Sequence, residues 1–68
     1  MARQAKYIRI KNGETLKMTA EAIGITFGNL HRFEAGRGNL SVPHLKKLAR
    51  HFRVSMDTLL KEAPGMAR

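Results

Sequence analysis

Two polar side chains that could hydrogen bond with nucleic-acid bases stand about one helical turn apart in the middle of the chain. Asn29 carries an amide that can both donate to and accept from the edge of an adenine, and Arg32 carries a guanidinium that can donate twice to a guanine. Leu30 and Phe33 also lie one turn apart, so the polar pair projects from another side of the same helix. The pattern predicts a short helix with an apolar face and a face that can bind a ligand.

Two short helices joined by a tight turn best account for residues 15–36, the segment that holds this pair. Thr15 and Thr26 can each cap a helix, because a threonine oxygen accepts a hydrogen bond from an unpaired N–H of the first turn. Ala20 is small where a crossing helix must come close, and Gly24 suits the left-handed residue that ends the first helix. The apolar face of the first helix follows the i, i+3, i+4, i+7 spacing with Leu16, Thr19, Ala20 and Ile23. Together these features describe a helix-turn-helix.

The composition favours a small basic protein with an anionic partner. The chain has 68 residues, enough for one small domain whose single core is only marginally sufficient. Thirteen Lys and Arg residues against five Asp and Glu residues give a formal net charge of +8, which favours binding of an anion; a soluble basic protein without one is the alternative. No cysteine is present, and no apolar run approaches the roughly 20 residues of a membrane span. We therefore expect a cytoplasmic protein with no membrane partner.

The helix-turn-helix and the residues after it resemble the Cro/CI-type (XRE-like) DNA-binding domains of phages and bacteria. Residues 34–39, Glu-Ala-Gly-Arg-Gly-Asn, resemble the Glu-x-Gly-x-x-Asn loop after the family's recognition helix, and residues 41–60 resemble its fourth and fifth helices. The resemblance implies an all-α, five-helix, lambda-repressor-like domain over residues 1–63, with residues 64–68 as a frayed tail. It also implies an ion pair between Arg9 and Glu34, because the family often has an arginine and a glutamate paired at these places.

Residues 2–11 are compatible with two local structures. The alternation over residues 7–11 before Asn12-Gly13 is typical of a strand that enters a turn. A helix that ends at Asn12-Gly13, with the glycine in a left-handed cap, explains the same residues. The family resemblance favours the helix, which would pack against the helix-turn-helix.

Docking of a helix-turn-helix places the early residues of its second helix in the major groove of DNA. Phe27 would then lie against thymine methyl groups, and Gly28 would bring the backbone closer to the bases. The alternatives are that Phe27 belongs to the core and that His31 and Arg32 are ordinary surface residues. The predicted base-reading residues are Phe27, Gly28, Asn29, His31 and Arg32.

Contacts with DNA phosphates are expected beside this surface. The first helix of the motif crosses the DNA backbone. The loop after the second helix has two glycines and exposed N–H groups that could hold a phosphate, although a plain surface turn is the alternative. The next helix begins nearby. The predicted phosphate-binding residues are Thr15, Lys17, Thr26, Arg37, Asn39 and His44.

The last third of the chain predicts two more helices and a dimer contact. Ser41 and Ser55 are the expected N-caps, and Asp57 suits the first turn of the fifth helix. The fourth helix has a core stripe at Leu45, Leu48, Ala49 and Phe52, and an opposite face, which we interpret as solvated, at Lys46, Lys47, Arg50 and Arg53. Since family members commonly dimerise through this end of the domain, the apolar surplus of the fifth helix predicts a dimer interface at Met56, Leu59 and Leu60.

The sequence gives little support for an enzyme. Ser41 and Ser55 are interpreted as caps, and the five carboxylates are scattered without a useful pair. His44 and His51 are two helical turns apart, too far to share one metal ion, and no third ligand accompanies them. No metal, cofactor or catalytic residue is predicted.

The favoured hypothesis is a sequence-specific regulator that binds double-stranded DNA as a homodimer and represses by occupying a promoter. One alternative is an antitoxin or phage accessory protein that uses the fold to bind a protein partner. Another is nonspecific coating of DNA. The sequence departs from the family at Leu16, where glutamine is common, and at Phe27 and Gly28, so the operator sequence cannot be inferred from the motif.

Overall fold

Five α-helices make up the part of the chain that the computed structural model describes, residues 2–63. They are α1 (Gln4–Lys11), α2 (Leu16–Ile23), α3 (Phe27–Glu34), α4 (Val42–Phe52) and α5 (Met56–Leu60). Within the described residues, extended pairing is limited to an isolated antiparallel bridge between Arg3 and Glu62. The predicted all-α, five-helix fold is confirmed. The predicted frayed tail, residues 64–68, lies outside the described residues.

The first segment is helical, as the family resemblance favoured. A lone strand would need a neighbouring strand for its backbone N–H and C=O groups, whereas α1 pairs these groups internally and packs on α3 and α5. Contacts within a few residues also end α1. Asn12 donates from its side-chain Nδ2 to the Ile8 carbonyl at 2.7 Å, and Gly13 takes a left-handed φ of 72°.

The helix-turn-helix forms through the predicted caps and turn. The Thr15 hydroxyl accepts from the Met18 N–H at 3.1 Å, and the Thr26 hydroxyl accepts from the Asn29 N–H at 3.2 Å. Gly24 ends α2 with a left-handed φ of 79°. Ala20 is almost fully buried between the two helices, which agrees with its predicted role as the small residue at the crossing.

The apolar faces of all five helices meet in one core. Leu59 is fully buried there, so the prediction that it contributes to a dimer interface is wrong: its side chain stabilises its own monomer. On the same helix Met56 is half-buried and Leu60 is 40% exposed, so these two remain at the surface. The buried core comprises Ala5, Ala20, Ile23, Leu30, Phe33, Leu45, Leu48, Ala49 and Leu59.

The two ends of α4 differ from simple expectation. Ser41 occupies the N-cap position, but its hydroxyl lies 2.8 Å from His44 Nδ1 and caps no backbone N–H, so the predicted side-chain cap is wrong. At the other end Arg53 adopts a left-handed φ of 57°, the only non-glycine residue to do so within residues 2–63. A side chain in this conformation costs about 1–2 kcal/mol.

The contrast between Thr26 and Ser41 gives a matched test of capping. We expect Thr26→Ala to lower the free energy of unfolding by about 1 kcal/mol, because the α3 N–H that it caps loses its partner. Ser41→Ala removes no such bond and should change stability by less than about 0.5 kcal/mol. Urea unfolding without DNA measures both. Equal losses in the two variants would contradict the assignment of the caps.

Candidate nucleic-acid interface

α3 separates its residues into a buried side and an exposed side. Leu30 and Phe33 are fully buried, while Asn29, His31 and Arg32 are exposed. Phe27 is 59% exposed, so it is not a core residue. Gly28 is half-buried, and a Cβ added there would meet no atom within 4 Å, so no contact within the chain requires a glycine. Four of the five predicted base-reading residues are therefore presented to solvent on α3, and Gly28 leaves open space among them.

Two of these side chains are already paired with each other. Arg32 donates from Nη2 to Asn29 Oδ1, three residues earlier on the same helix. The Asn29 backbone N–H is held separately by the Thr26 hydroxyl. The amide of Asn29 and the remaining N–H groups of Arg32 thus form one exposed hydrogen-bonding unit. The residue types alone predict a base contact for each residue separately and do not predict this coupling.

The residues predicted to contact phosphates from the helix-turn-helix lie at its edge. Thr15 and Thr26 are exposed, and each uses a hydroxyl lone pair to cap a helix, which leaves its O–H proton free to donate to a phosphate. Lys17 is exposed and lines a shallow, mostly apolar depression between α2 and α3. Phe27 and Thr26 line the same depression, so a cation and an apolar ring stand close to the start of α3.

Arg3 holds the loop after α3 in place. Its Nη1 donates to the Phe33 carbonyl at 3.2 Å and to the Gly38 carbonyl at 2.7 Å, and its Nη2 donates to Asn39 Oδ1 at 3.1 Å. The guanidinium also lies over the Phe33 ring, 4.5 Å from the centroid. The side-chain oxygen of Asn39 is therefore engaged, and only its amide N–H groups remain to bind a phosphate. This role of Arg3 could not be predicted from the sequence, since no local pattern links the residue to a loop 30–36 residues away.

A basic cleft of about 390 Å³ lies between α1 and the end of α3. Arg37 and His31, both predicted from sequence, line it together with Lys6, which was not predicted. The signals for Lys6 were the charge of the chain and the helical interpretation of α1, but neither distinguishes Lys6 from other lysines. His44 lies apart from this set: it is half-buried and its ring contacts Ser41.

The buried pair of Arg9 and Glu34 joins α1 to the end of α3. Arg9 Nε donates to Glu34 Oε2 at 2.8 Å, and Nη2 donates to Oε1 at 3.1 Å, which makes the contact bidentate. The residues are only 8% and 3% exposed. Arg9 Nη1 also donates to the Glu14 carbonyl at 2.7 Å, so the same guanidinium holds the turn that precedes α2. Through these contacts Arg9 fixes α1 against the end of α3 and against the turn before α2, and so helps to orient both helices of the motif.

Comparison with known protein families accounts for most of the chain. A helix-turn-helix family model matches residues 6–59, which include all five helices except the ends of α1 and α5. The chain belongs to the XRE-like helix-turn-helix family. Membership of this helix-turn-helix family supports a DNA-binding regulator of transcription. The five helices and the contact between Arg9 and Glu34 are the features that the resemblance implied.

A solved structure shares the fold of this helix-turn-helix protein. It is described as the crystal structure of a hypothetical transcription factor, NHTF, from Neisseria, and it matches with a TM-score of 0.72 at 21% sequence identity. The alignment covers 85% of this chain and 65% of that one. The chain therefore spans less than two thirds of its structural relative, and at this identity the likeness shows the fold alone. No curated protein sequence matches the chain.

Glu14, in the turn before α2, links α2 to α4. Thr19 donates its buried hydroxyl to Glu14 Oε1 at 2.6 Å, and His51 Nε2 lies 2.8 Å and 2.9 Å from the two carboxylate oxygens. The hydrogen bond from Thr19 is the main reason that the pKa of Glu14 lies below its ordinary value of 4.5, and the contact with His51 lowers it further. The domain thus gains stability from the ionised form of this carboxylate.

The lowered pKa of Glu14 predicts a pH-dependent stability difference. Because the folded pKa lies below the unfolded value, the contribution is full above about pH 4.5 and is lost as the pH falls through the folded value. We expect the wild-type chain to be more stable than Glu14→Gln near pH 7, and the difference to shrink as the pH falls below about 4.5. Urea unfolding of both proteins across this range measures it, and a difference independent of pH would contradict the assignment.

Two further features of residues 2–63 bear on the class of site. No group of three or more His, Asp or Glu side chains in this range could hold a metal ion. None of the five helices is long and apolar enough to cross a bilayer.

Proposed function

We propose that this domain binds double-stranded DNA sequence-specifically, with α3 in the major groove, and acts as a repressor by promoter occlusion rather than as an enzyme. The observation that carries the proposal is the exposed side of α3, where Asn29, His31 and Arg32 face solvent beside a 59%-exposed Phe27. Phe27 is the apolar residue of α3 that the core leaves exposed, so a partner that covers its ring would remove hydrocarbon surface from water. DNA offers thymine methyl groups for the ring and base edges for the polar side chains.

The base-reading surface combines two kinds of contact. The coupled amide and guanidinium of Asn29 and Arg32 are suited to adenine and guanine edges, each good pair being worth about 1–3 kcal/mol of discrimination. Phe27 would select a pyrimidine that carries a methyl group, and the absence of a side chain at Gly28 allows the backbone to approach. Of the five residues, His31 is the least suited to contact a base, because it lines the basic cleft with Arg37.

Phosphate contacts would set the register of the domain on the duplex. Thr15, Lys17 and Thr26 would contact one strand from the start of α2 and α3, and Arg37 with the N–H groups of Asn39 would contact it from the following loop. The net charge of +8 supports such an interface, because each neutralised phosphate releases counterions. His44 is retained as a prediction from sequence, although its ring already contacts Ser41.

We further propose a homodimer that recognises a two-fold-related operator through Met56 and Leu60. These residues stand one turn apart on α5, and Leu60 is 40% exposed, whereas Leu59 serves the core. In vitro selection of bound sequences from a random duplex pool tests the whole proposal. A palindromic consensus with half-sites about 10–10.5 base pairs apart is the expected result. If no sequence were enriched and every fragment bound with equal affinity, the result would favour nonspecific coating and reject the proposal.

A further inference from the structure

A shallow groove of about 540 Å³ lies between α4 and α5, apart from the helix proposed to read DNA. Its lining combines three cations with an apolar floor and includes no carboxylate. Within residues 2–63, none of the three cations has an ion-pair partner or a side-chain hydrogen bond. The residues that line the groove are Lys46, Ala49, Arg50, Arg53, Val54 and Met56.

The floor of the groove is suited to an apolar side chain. Ala49 is buried, and Val54 and Met56 are half-buried, so the three apolar residues lie below the charged rim. The small side chain of Ala49 leaves space above α4. The flexible thioether of Met56 can adjust to the shape of an incoming group. An apolar group placed here would remove further hydrocarbon surface from water.

The rim has a helical spacing. Lys46, Arg50 and Arg53 lie at i, i+4 and i+7 on α4 and its C-cap, and all three are exposed. Lys47, the next residue along the same helix, does not line the groove. Helical spacing alone places these basic residues on one solvated face, whereas the packing of α5 puts Lys46, Arg50 and Arg53 at the groove and leaves Lys47 outside it.

Arg53 supports the groove by a second, independent observation. It holds a left-handed φ of 57° at the end of α4, a conformation that glycine adopts without penalty and that disfavours other side chains. The structure thus keeps a guanidinium at the rim in spite of a backbone cost. Such an outlier points to a role for the side chain rather than for the turn.

We infer that this groove binds an acidic helical segment of a partner protein. One apolar side chain of the segment would lie on Ala49, Val54 and Met56, and carboxylates one and two turns apart would pair with the rim. An amphipathic helix in a groove is a common mode of recognition, and its anchors repeat at i, i+3, i+4 and i+7. This inference goes beyond DNA binding and does not depend on it. It requires that the proposed homodimer contact be made mainly by Leu60, which does not line the groove, so that Met56 stays accessible.

Two other occupants fit the groove less well. A second copy of this chain that presented the same groove would place three cations opposite three cations, which is unfavourable. A DNA duplex could neutralise the rim, but its backbone carries no apolar side chain for the floor. An acidic helix satisfies the charge and the floor together.

A synthetic peptide provides the test. The probe is an amphipathic peptide of about four helical turns, with leucines on one face and glutamates on the others. Amide NMR spectra of the full chain during titration should show shifts concentrated in residues 46–56. Poly-glutamate of equal length, which lacks the apolar anchor, should bind at least about tenfold more weakly.

Matched variants separate the groove from general charge. We expect Lys46→Glu to weaken binding of the leucine–glutamate peptide by about tenfold, and Lys47→Glu, the same change one residue away, by less than about threefold. Arg53→Gly removes the guanidinium and the backbone strain together. It should weaken binding while leaving the thermal midpoint of unfolding unchanged or raised, so its effect cannot come from unfolding.

Three results would overturn the inference. Equal losses for Lys46→Glu and Lys47→Glu would show attraction to charge alone. A dimer seen in sedimentation whose formation protects the amides of residues 46–56 from hydrogen exchange would assign the groove to a second copy. Shifts in the same residues with a random DNA duplex, at an affinity equal to that of the peptide, would assign it to nucleic acid.

Discussion

Glu34→Ala should lower the free energy of unfolding by about 3–5 kcal/mol. The substitution leaves the Arg9 guanidinium, itself only 8% exposed, without the carboxylate that accepts from both Nε and Nη2. A chain of 68 residues is expected to have a total stability of only about 3–10 kcal/mol, so the substitution should remove a large part of it. Urea unfolding followed by circular dichroism at low temperature measures the loss.

The control for this prediction replaces both partners. In Arg9→Met with Glu34→Leu, no buried charge remains unpaired, and apolar side chains of similar volume occupy the site. We expect this double variant to recover most of the stability lost in Glu34→Ala, although the Glu14 carbonyl still loses its bond from Arg9 Nη1. A Glu34→Ala variant with near-wild-type stability would show that the pair contributes little to the fold.

Arg32→Lys should abolish base preference at one operator position while preserving the charge of the domain. A lysine cannot make the planar, bidentate contact of a guanidinium with guanine, so discrimination should fall by about 1–3 kcal/mol at that position. It also cannot reproduce the present contact with Asn29 Oδ1, and the preference at the neighbouring position should weaken with it. Selection profiles of the two proteins on the same duplex pool measure both effects.

Arg37 provides the contrasting variant on the same surface. Arg37→Ala should weaken binding to all DNA sequences alike, because one phosphate contact is lost. It should also reduce the magnitude of the slope of log affinity against log salt concentration by about 1. Arg37→Lys keeps a cation and should retain most of that slope. If Arg37→Ala altered the base preference, or if Arg32→Lys left it unchanged, the proposed docking of α3 would be wrong.

Local patterns determined the helices and the turn of the motif. Thr15, Thr26 and Gly24 act within one turn of their own positions, and the spacing of Leu30 and Phe33 decides which side of α3 is buried. The failures were also local in origin. Ser41 has the residue type of a cap, but its hydroxyl contacts His44 instead. Leu59 was assigned to a surface because α5 is apolar on more than one side.

Contacts between distant residues could not be derived in this way. The side chain of Arg3 reaches carbonyls and an amide 30–36 residues away, and His51 meets Glu14 across 37 residues. Only the family resemblance linked Arg9 to Glu34, since nothing in the spacing of the two residues pairs them. The same holds for the groove between α4 and α5, which exists because α5 packs beside one part of the basic face of α4 and not beside Lys47.

The sequence by itself therefore determined α2 to α5, the helix-turn-helix and the outward side of α3, because capping and helical periodicity act within a few residues. For residues 2–11 the local pattern also allowed a strand, and only the family resemblance favoured the helix. The tertiary structure alone decided how Arg3 holds the loop after α3, that Leu59 belongs to the core, and which lysines and arginines share a groove. These features depend on how helices pack against one another, and that packing is set by the shape of the whole core rather than by any one segment.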